Sequence, residues 1–232
     1  YNMKMPEEIN RILTDNISSY LFCATSTALD NLNEEGFNKR SCKIYNVGDV
    51  MYDAALFYLN KMQRPSSLGG NISSDFVLAT VHRAENTDEP ENLISIINSL
   101  NTLAKTKDVV CPIHPRTRQS IYDLGLKCDF ILLEPVSYFE MLWLLKNSCL
   151  VLTDSGGLQK EAYFFKKYCV TLRKQTEWVE LVAAGVNSLT GSDESEILRS
   201  SKLFLNKQFN ARTDLYGDGN AGVKIVEILG AI

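Results

Sequence analysis

The residues most able to do chemistry follow the apolar run 149–152: Thr153, Asp154, Ser155, Gly156 and Gly157, leading straight into a helical pattern over 157–165. A Ser-Gly-Gly turn at a helix start offers free amide groups, a hydroxyl and the positive end of the helix dipole, with no side chain blocking approach. That combination suits a phosphate. Glu161 lies six residues past Ser155, about one and a half helical turns on. A carboxylate is misplaced against a phosphate but well placed to accept hydrogen bonds from ribose hydroxyls. Together the turn and the acid point to a nucleotide, while Ser-Gly-Gly by itself also reads as an ordinary glycine turn.

A second cluster, His82, Arg83, Ala84, Glu85 and Asn86, follows the apolar run 76–81. Four of its five residues are polar or charged, and functional side chains gather on loops of this kind. A solvated loop with a helix cap fits the same residues, and both readings stay open. His114, after the run 108–113, either lines the same cleft or packs against it. Glu7 and Glu8 open the first helical pattern, where acids favour the dipole and where a catalytic acid fits equally. No GxxxxGK[ST] motif occurs and no GxGxxG follows a strand, so ATP and NAD are poor candidates. The cysteines at 23, 42, 111, 128, 149 and 169 are scattered, with no CxxC pair and no histidine at zinc-ligand spacing. They read as free thiols of a reducing compartment.

Periodicity shows which elements must hold these residues. Positions 6–14 place Ile9, Ile12 and Leu13 on one helical face, behind Pro6 and two acids. A short apolar run follows at 20–24, then a helix capped by Ser26 or Thr27 and closed at Gly36. A strand at 43–47 precedes a helix that Asp49 caps, with Met51, Ala54, Leu56 and Leu59 on its apolar face. The stretch 64–70 (RPSSLGG) is the most loop-like in the sequence and marks a boundary. Beyond it strands at 76–81, 108–113, 130–133, 149–152 and 169–172 alternate with helices at 90–103, 116–124, 138–146 and 157–165. This α/β alternation predicts a parallel sheet with helices on both faces, Rossmann-like in the second domain. Ligands of such sheets bind at the carboxyl ends of the strands, where both clusters fall.

Composition sets the class. The 232 residues carry 24 Lys+Arg and 28 Asp+Glu, a formal charge of −4, which gives no basic footprint for nucleic acid. Hydrophobic residues at 45% and charged residues at 22% are those of a folding globular chain. No apolar run approaches the ~20 residues of a membrane helix, and no basic-then-apolar leader pattern opens the chain, so the reading is cytoplasmic with no membrane partner.

Taken together, MPEEINR (5–11), VGDVMYDA (47–54), TVHRAENTDEPENL (80–93), LTDSGGLQKEA (152–162), LRKQTEWVELVAAG (172–185) and YGDGNAG (216–222) resemble the non-hydrolysing UDP-N-acetylglucosamine 2-epimerases, in family order over nearly the whole chain. The resemblance implies a GT-B-like fold of two Rossmann-like domains. It implies inversion at carbon 2 of a UDP-linked 2-acetamido sugar, by elimination of UDP to a 2-acetamidoglycal and re-addition, for surface polysaccharide precursors. No NAD, metal or other cofactor is implied, and a homodimer is implied for the full-length family. By position, Ser155, Gly156 and Gly157 would hold the diphosphate with Arg83 beside it, and Glu161 the ribose. His82 would assist departure of UDP, and Glu7 would move the proton at carbon 2.

The domain division expected is 1–63 as part of an N-terminal domain, 64–70 as linker, 71–210 as the UDP-binding domain, and 211–232 as a terminal helix crossing back to the first. Family members carry a long segment ahead of PEEINR, with an Asp and the acid of an EAG motif. The first domain is therefore expected to be only partly present and the chain incomplete for catalysis, since elimination and re-addition need a base and a second proton carrier. An uncovered sheet edge and exposed apolar helix faces should follow, with poor solubility, oligomerisation or disorder over 1–60. Trp178, where many relatives read TERPE, is more similar to the branch acting on UDP-2,3-diacetamido-2,3-dideoxyglucuronate. Met141 stands where an aromatic residue often flanks the uracil. The competing readings are a non-catalytic UDP-sugar-binding pseudoenzyme and a GT-B glycosyltransferase, against which HRAEN and PEEINR argue.

Overall fold

A computed structural model describes residues 3, 6–70, 72 and 75–231. Met5 of the MPEEINR stretch, the expected domain start at 71, and Ile232 lie outside them. Two compact units divide the chain, Tyr1–Leu56 with Asp214–Ile232 and Phe57–Thr213.

In the first unit, helix α1 (Pro6–Ile17) starts on proline with Glu7 and Glu8 in its first turn. Arg11 ties it together, pairing with Glu8 at 2.8 Å, Asp15 at 2.9 Å and Glu35 at 3.1 Å. The apolar face read from the sequence is not buried: α1 has no buried residue, and Ile9, Leu13 and Ile17 are exposed. Strand β1 (Tyr20–Cys23) and strand β2 (Lys43–Asn46) pair in parallel, Tyr20 opposite Lys43. Between them α2 (Ser26–Glu34) is capped by Thr25, whose hydroxyl accepts from the Ala28 amide at 3.1 Å. The cap therefore sits one residue ahead of Ser26 and two ahead of Thr27, the two expected, because Thr25 is the last extended residue and its oxygen reaches the third amide of the helix. A small core of Leu21, Cys23, Leu32 and Phe37 fills this unit.

Helix α3 (Val50–Phe57) does take its cap from Asp49, which accepts from the Met51 amide at 2.8 Å. Ala55 is its buried side chain and Leu56 is exposed, so its apolar face is turned from the one expected. The same helix anchors the C-terminal segment. Asp53 accepts from the amides of Ala221 at 3.1 Å and Gly222 at 2.7 Å, capping α11 (Ala221–Gly230) with a carboxylate from a distant part of the chain. Gly48 has φ +96°, and a Cβ there would lie 2.9 Å from the Tyr216 carbonyl oxygen, so only glycine lets the two segments touch.

The second unit holds a six-stranded all-parallel sheet of order β5-β4-β3-β6-β7-β8. Its strands are β3 (Phe76–Thr80), β4 (Val109–Pro112), β5 (Ile131–Leu133), β6 (Ser148–Thr153), β7 (Tyr168–Thr171) and β8 (Asn187–Leu189). Its helices are α4 (Ala84–Thr87), α5 (Pro90–Ala104), α6 (Pro115–Asp123), α7 (Tyr138–Asn147), α8 (Gly156–Phe164), α9 (Val179–Ala183) and α10 (Glu194–Leu205). Every residue of β3 and of β4 is buried, as strands covered on both faces require. Helix α5 buries Leu93, Ile96, Ile97, Leu100 and Leu103, a stripe at three- and four-residue spacing. Helix α7 is started by a capping box between Ser137 and Glu140. Leu144 and Leu145 of α7 and Leu158 and Ala162 of α8 share one core with Phe76, Leu78, Val110 and Val151.

The division between the units falls at Leu56, ahead of 64–70. There Arg64 donates to the carbonyls of Leu68 and Gly69, each at 2.7 Å, and the buried Leu68 joins the second unit's core. The strand order is that of a doubly wound Rossmann sheet, with β3 and β6 as the central pair. Successive strands run outward from β3 in one direction and from β6 in the other, so the loops leaving these two strands part and leave a crevice at their carboxyl ends.

Candidate functional site

Both clusters read from the sequence meet at that crevice. Thr80 ends β3 opposite Thr153 at the end of β6, their hydroxyls 2.6 Å apart, and Thr153 also accepts from the Ser155 amide at 2.9 Å. One residue on, Asp154 is fully buried. Its carboxylate accepts from the backbone amides of His82 at 3.0 Å and Arg83 at 2.9 Å, from the Asn86 side-chain amide at 3.0 Å, and faces His82 Nδ1 at 3.2 Å. Asn86 also donates to the Leu172 carbonyl at 3.0 Å, which ties the loop after β3 to the end of β7. A buried carboxylate with this many donors locks the two loops in register.

Ser155 caps α8, its hydroxyl accepting from the Leu158 amide at 3.4 Å, and Gly156 and Gly157 form the first helical positions. The plain reading of Ser155 as a helix cap is thus realised, and the amides of the turn head the helix as an anion site needs. Around Gly156 stand the Trp178 indole nitrogen, the Glu177 carboxylate and the Arg83 guanidinium, at 3.6, 3.7 and 3.9 Å from where a Cβ would lie. Trp178 donates to the Gly156 carbonyl at 2.8 Å, and the Lys160 ammonium lies 4.3 Å from the centre of its ring. Burial pushes the Glu177 carboxyl up, but the hydrogen bonds from Arg173, at 2.8 and 2.9 Å, with its own backbone amide and the charges of Arg173 and Arg83, together outweigh it and hold the group below its ordinary value.

A cavity of about 390 Å³ opens beside this turn. His82, Ser155, Gly157 and Glu161 form its polar side, while Ile113, Val136, Met141 and Leu158 are among its apolar lining. That is the division a nucleotide asks for, a flat apolar base and polar groups for phosphate and sugar. Glu161 is 7% exposed. Burial raises its carboxyl to about 7, against a hydrogen bond from the Tyr138 hydroxyl and the charge of Lys160, which both lower it. His114 lines the cavity as well and caps α6, its Nδ1 accepting from the Arg116 amide at 3.2 Å.

His82, Arg83, Ser155, Gly156, Gly157 and Glu161 are therefore neighbours, and Met141 lines the cavity they border. Glu7 lies on α1 in the first unit, where it is exposed. The sequence reading sets Asp154 and Asn86 inside its two clusters without giving either a role, and does not include Tyr138. The signal for Asp154 was its position, an acid between a buried strand and an anion-binding turn. Tyr138 carries no signal beyond starting a helix.

The sheet order and the crevice define a Rossmann-like α/β protein with a candidate nucleotide site at the helix start. Comparison with known proteins narrows the class: the family profile described as UDP-N-acetylglucosamine 2-epimerase matches residues 1–230. The chain belongs to that family. It is 53% identical over 230 residues to the UDP-2,3-diacetamido-2,3-dideoxy-D-glucuronate 2-epimerase of Pseudomonas aeruginosa, covering 99% of this chain and 64% of that protein. It is 47% identical over 241 residues to a UDP-N-acetylglucosamine 2-epimerase homolog of Methanococcus maripaludis, covering 99% of this chain and 65% of that one. Among solved structures, the Methanocaldococcus jannaschii UDP-GlcNAc 2-epimerase in complex with UDP-GlcNAc and UDP superposes with a TM-score of 0.84 at 37% identity, over 100% of this chain and 66% of that one. The α/β, GT-B-like fold class is shared with these enzymes, and the chain spans just under two thirds of the length of the curated relatives.

Proposed function

We propose that this chain carries the UDP-binding part of a UDP-sugar 2-epimerase, an isomerase inverting carbon 2 of a UDP-linked 2-acetamido sugar by elimination and re-addition of UDP. The observation that carries the reading is the turn 153–157 at the switch point, opening onto a cavity with Glu161 at one side and apolar residues at the other. In this reading the first-turn amides of α8 and the Ser155 hydroxyl take the diphosphate, with the Arg83 guanidinium supplying charge. Glu161 accepts from the ribose hydroxyls and Met141 lies against the uracil. His82 stands by the diphosphate and carries the proton that UDP takes on leaving, and Glu7 moves the proton at carbon 2. The 53% identity to the Pseudomonas enzyme favours a 2,3-diacetamido uronate as the sugar over UDP-GlcNAc. A homodimer in the cytoplasm, with no nucleic-acid or membrane partner, completes the reading. Of the described helices, none is long and apolar enough to cross a membrane.

The test is calorimetric titration of UDP into wild type and Ser155→Ala, with carbon-2 deuterium exchange followed on both UDP-sugars in heavy water. Wild type binds, and Ser155→Ala loses about tenfold in affinity, the worth of one charge-assisted hydrogen bond. Binding without exchange supports the non-catalytic UDP-sugar module over the enzyme. Failure of wild type to bind UDP contradicts the proposal.

A further inference from the structure

The turn that opens α8 is braced by side chains as well as by its own backbone. The Gly156 carbonyl accepts from the Trp178 indole at 2.8 Å, and the Ser155 carbonyl accepts from the Gln159 side-chain amide at 3.2 Å. Two of the turn's own bonds are longer: the Gln159 backbone amide reaches the Ser155 carbonyl at 3.3 Å, and the Leu158 amide reaches Ser155 Oγ at 3.4 Å. Both exceed the usual range of about 2.7–3.2 Å, so the indole makes the shortest of these four bonds. Gln159 is fully buried. Its side-chain oxygen accepts from the Thr176 hydroxyl at 2.8 Å and from the Asn187 side-chain amide at 3.3 Å, and Thr176 Oγ1 in turn accepts from the Trp178 amide at 3.2 Å. The two braces are thus joined through Thr176. The Lys160 ammonium, 4.3 Å from the centre of the Trp178 ring, holds the face of the indole.

A peptide unit is planar and trans, so its carbonyl and its amide point in opposite directions. Pinning the Ser155 carbonyl therefore aims the Gly156 amide, and pinning the Gly156 carbonyl aims the Gly157 amide. These two amides belong to the first turn of the helix and have no helix carbonyl to bond. They stand on the freest backbone a sequence can offer, two glycines in a row. We infer that Trp178 and Gln159 are positioning residues, holding the turn so that both amides point out of the helix end toward one phosphate group. The inference deepens the nucleotide reading above and rests on it for its ligand. Donors already aimed lose little freedom when the anion arrives, whereas a loose turn gives up part of the binding energy in ordering itself.

Trp178→Phe tests this, because it removes the donor and keeps an aromatic ring beside Lys160. Titrated with UDP, the variant binds about tenfold more weakly than wild type, the worth of one charge-assisted hydrogen bond. Uridine, which lacks the phosphates, binds both chains alike at millimolar concentration. A general disruption of the site would weaken both ligands. In the ligand-free chain labelled with nitrogen-15, relaxation should show the Gly157 amide loosened in the variant and the Gly156 amide, still held through Gln159, less so. The sequence contains two tryptophans, and the variant assigns the Trp178 indole signal. In wild type that indole hydrogen exchanges with solvent more than about tenfold slower than a free indole, a measurement that needs no variant to fold. Exchange at the rate of a free indole, a Gly157 amide unchanged in the variant, or equal losses of UDP and uridine affinity would each overturn the inference. A wild-type chain that fails to bind UDP contradicts the nucleotide reading, and the Gly157 relaxation then decides the brace by itself.

Discussion

The two parallel sheets of this chain follow the same pairing rules and bury very different amounts. β1 and β2 form a two-stranded ribbon whose core is four side chains, and helix α1 beside them buries none. The six-stranded sheet of the second unit encloses Phe76, Leu78, Val110 and Val151, each fully buried. A two-stranded sheet has two edges and no interior strand, so its apolar side chains keep some contact with water. Six parallel strands hold a rigid pair at the centre, and the loops leaving that pair are where the chemistry sits. Depth of burial sets how fully an acid is held: Asp154 is fully buried among three donors, whereas in the first unit the half-buried Asp53 holds two amides.

Truncation of a strand leucine in each unit probes this directly and carries the largest effect. Leu78→Ala, at 0% exposure, should cost the second unit about 4 kcal/mol, because the surrounding sheet cannot collapse onto the hole. Leu21→Ala, at 8%, should cost the first unit about 2 kcal/mol, the low end for such changes. Denaturant unfolding followed by probes in each unit measures both, and equal costs would break the comparison.

Glu161 sharpens it, since a deep site burdens the charge it holds. The unfolded carboxyl titrates near 4.5 and the folded one near 7, so between these values the folded chain holds the extra proton. Stability therefore falls as pH rises through that window and levels off above it, by about 3 kcal/mol in all. Glu161→Gln removes the fall, leaving the variant more stable than wild type at alkaline pH and equal to it in acid. UDP binding has the opposite sign: ribose hydroxyls donate to the ionised group, so wild-type affinity rises through about pH 7. Subtracting the Gln variant's profile removes the titration of the diphosphate itself. A wild-type stability profile that is flat from about pH 5 to 8 would contradict the burial of this acid.

Gly48→Ala carries the smallest effect. The new Cβ meets the Tyr216 carbonyl at 2.9 Å and the backbone is at φ +96°, a combined cost of about 1–2 kcal/mol. Hydrogen exchange should rise along 214–231 and β2 and stay unchanged in the second unit. Faster exchange in β3 or β6 would show that the units do not respond separately.

Much of this could be read from residue types. The apolar runs of the second unit gave its first five strands within a residue or two, since fully buried strands leave little else in their composition. β8 is three residues with two polar ones, Asn187 and Ser188, and α9 is five residues long. Neither has the length to show a period. Ser155, Gly156, Gly157 and Glu161 could be found because a phosphate and a ribose demand opposite chemistry at fixed helical spacing. Asp154 stands in the same cluster, but its burial could not be read, since an acid after a strand looks the same whether it is solvated or fully buried. Its role depends on Asn86, 68 residues away in the sequence and 3.0 Å away in space. The exposed face of α1 agrees with the exposed apolar helix faces expected of the first domain, whereas periodicity by itself marks which side is apolar and says nothing of whether a neighbour covers it.

The most direct test of the account is a backbone amide titration of the labelled chain with UDP. Perturbations should concentrate at His82 and Arg83 after β3, at Ser155, Gly156 and Gly157 after β6, and at Glu161, with the edge strands β5 and β8 unmoved. Saturable shifts centred anywhere else, or none up to millimolar UDP, would contradict a nucleotide site at the switch point.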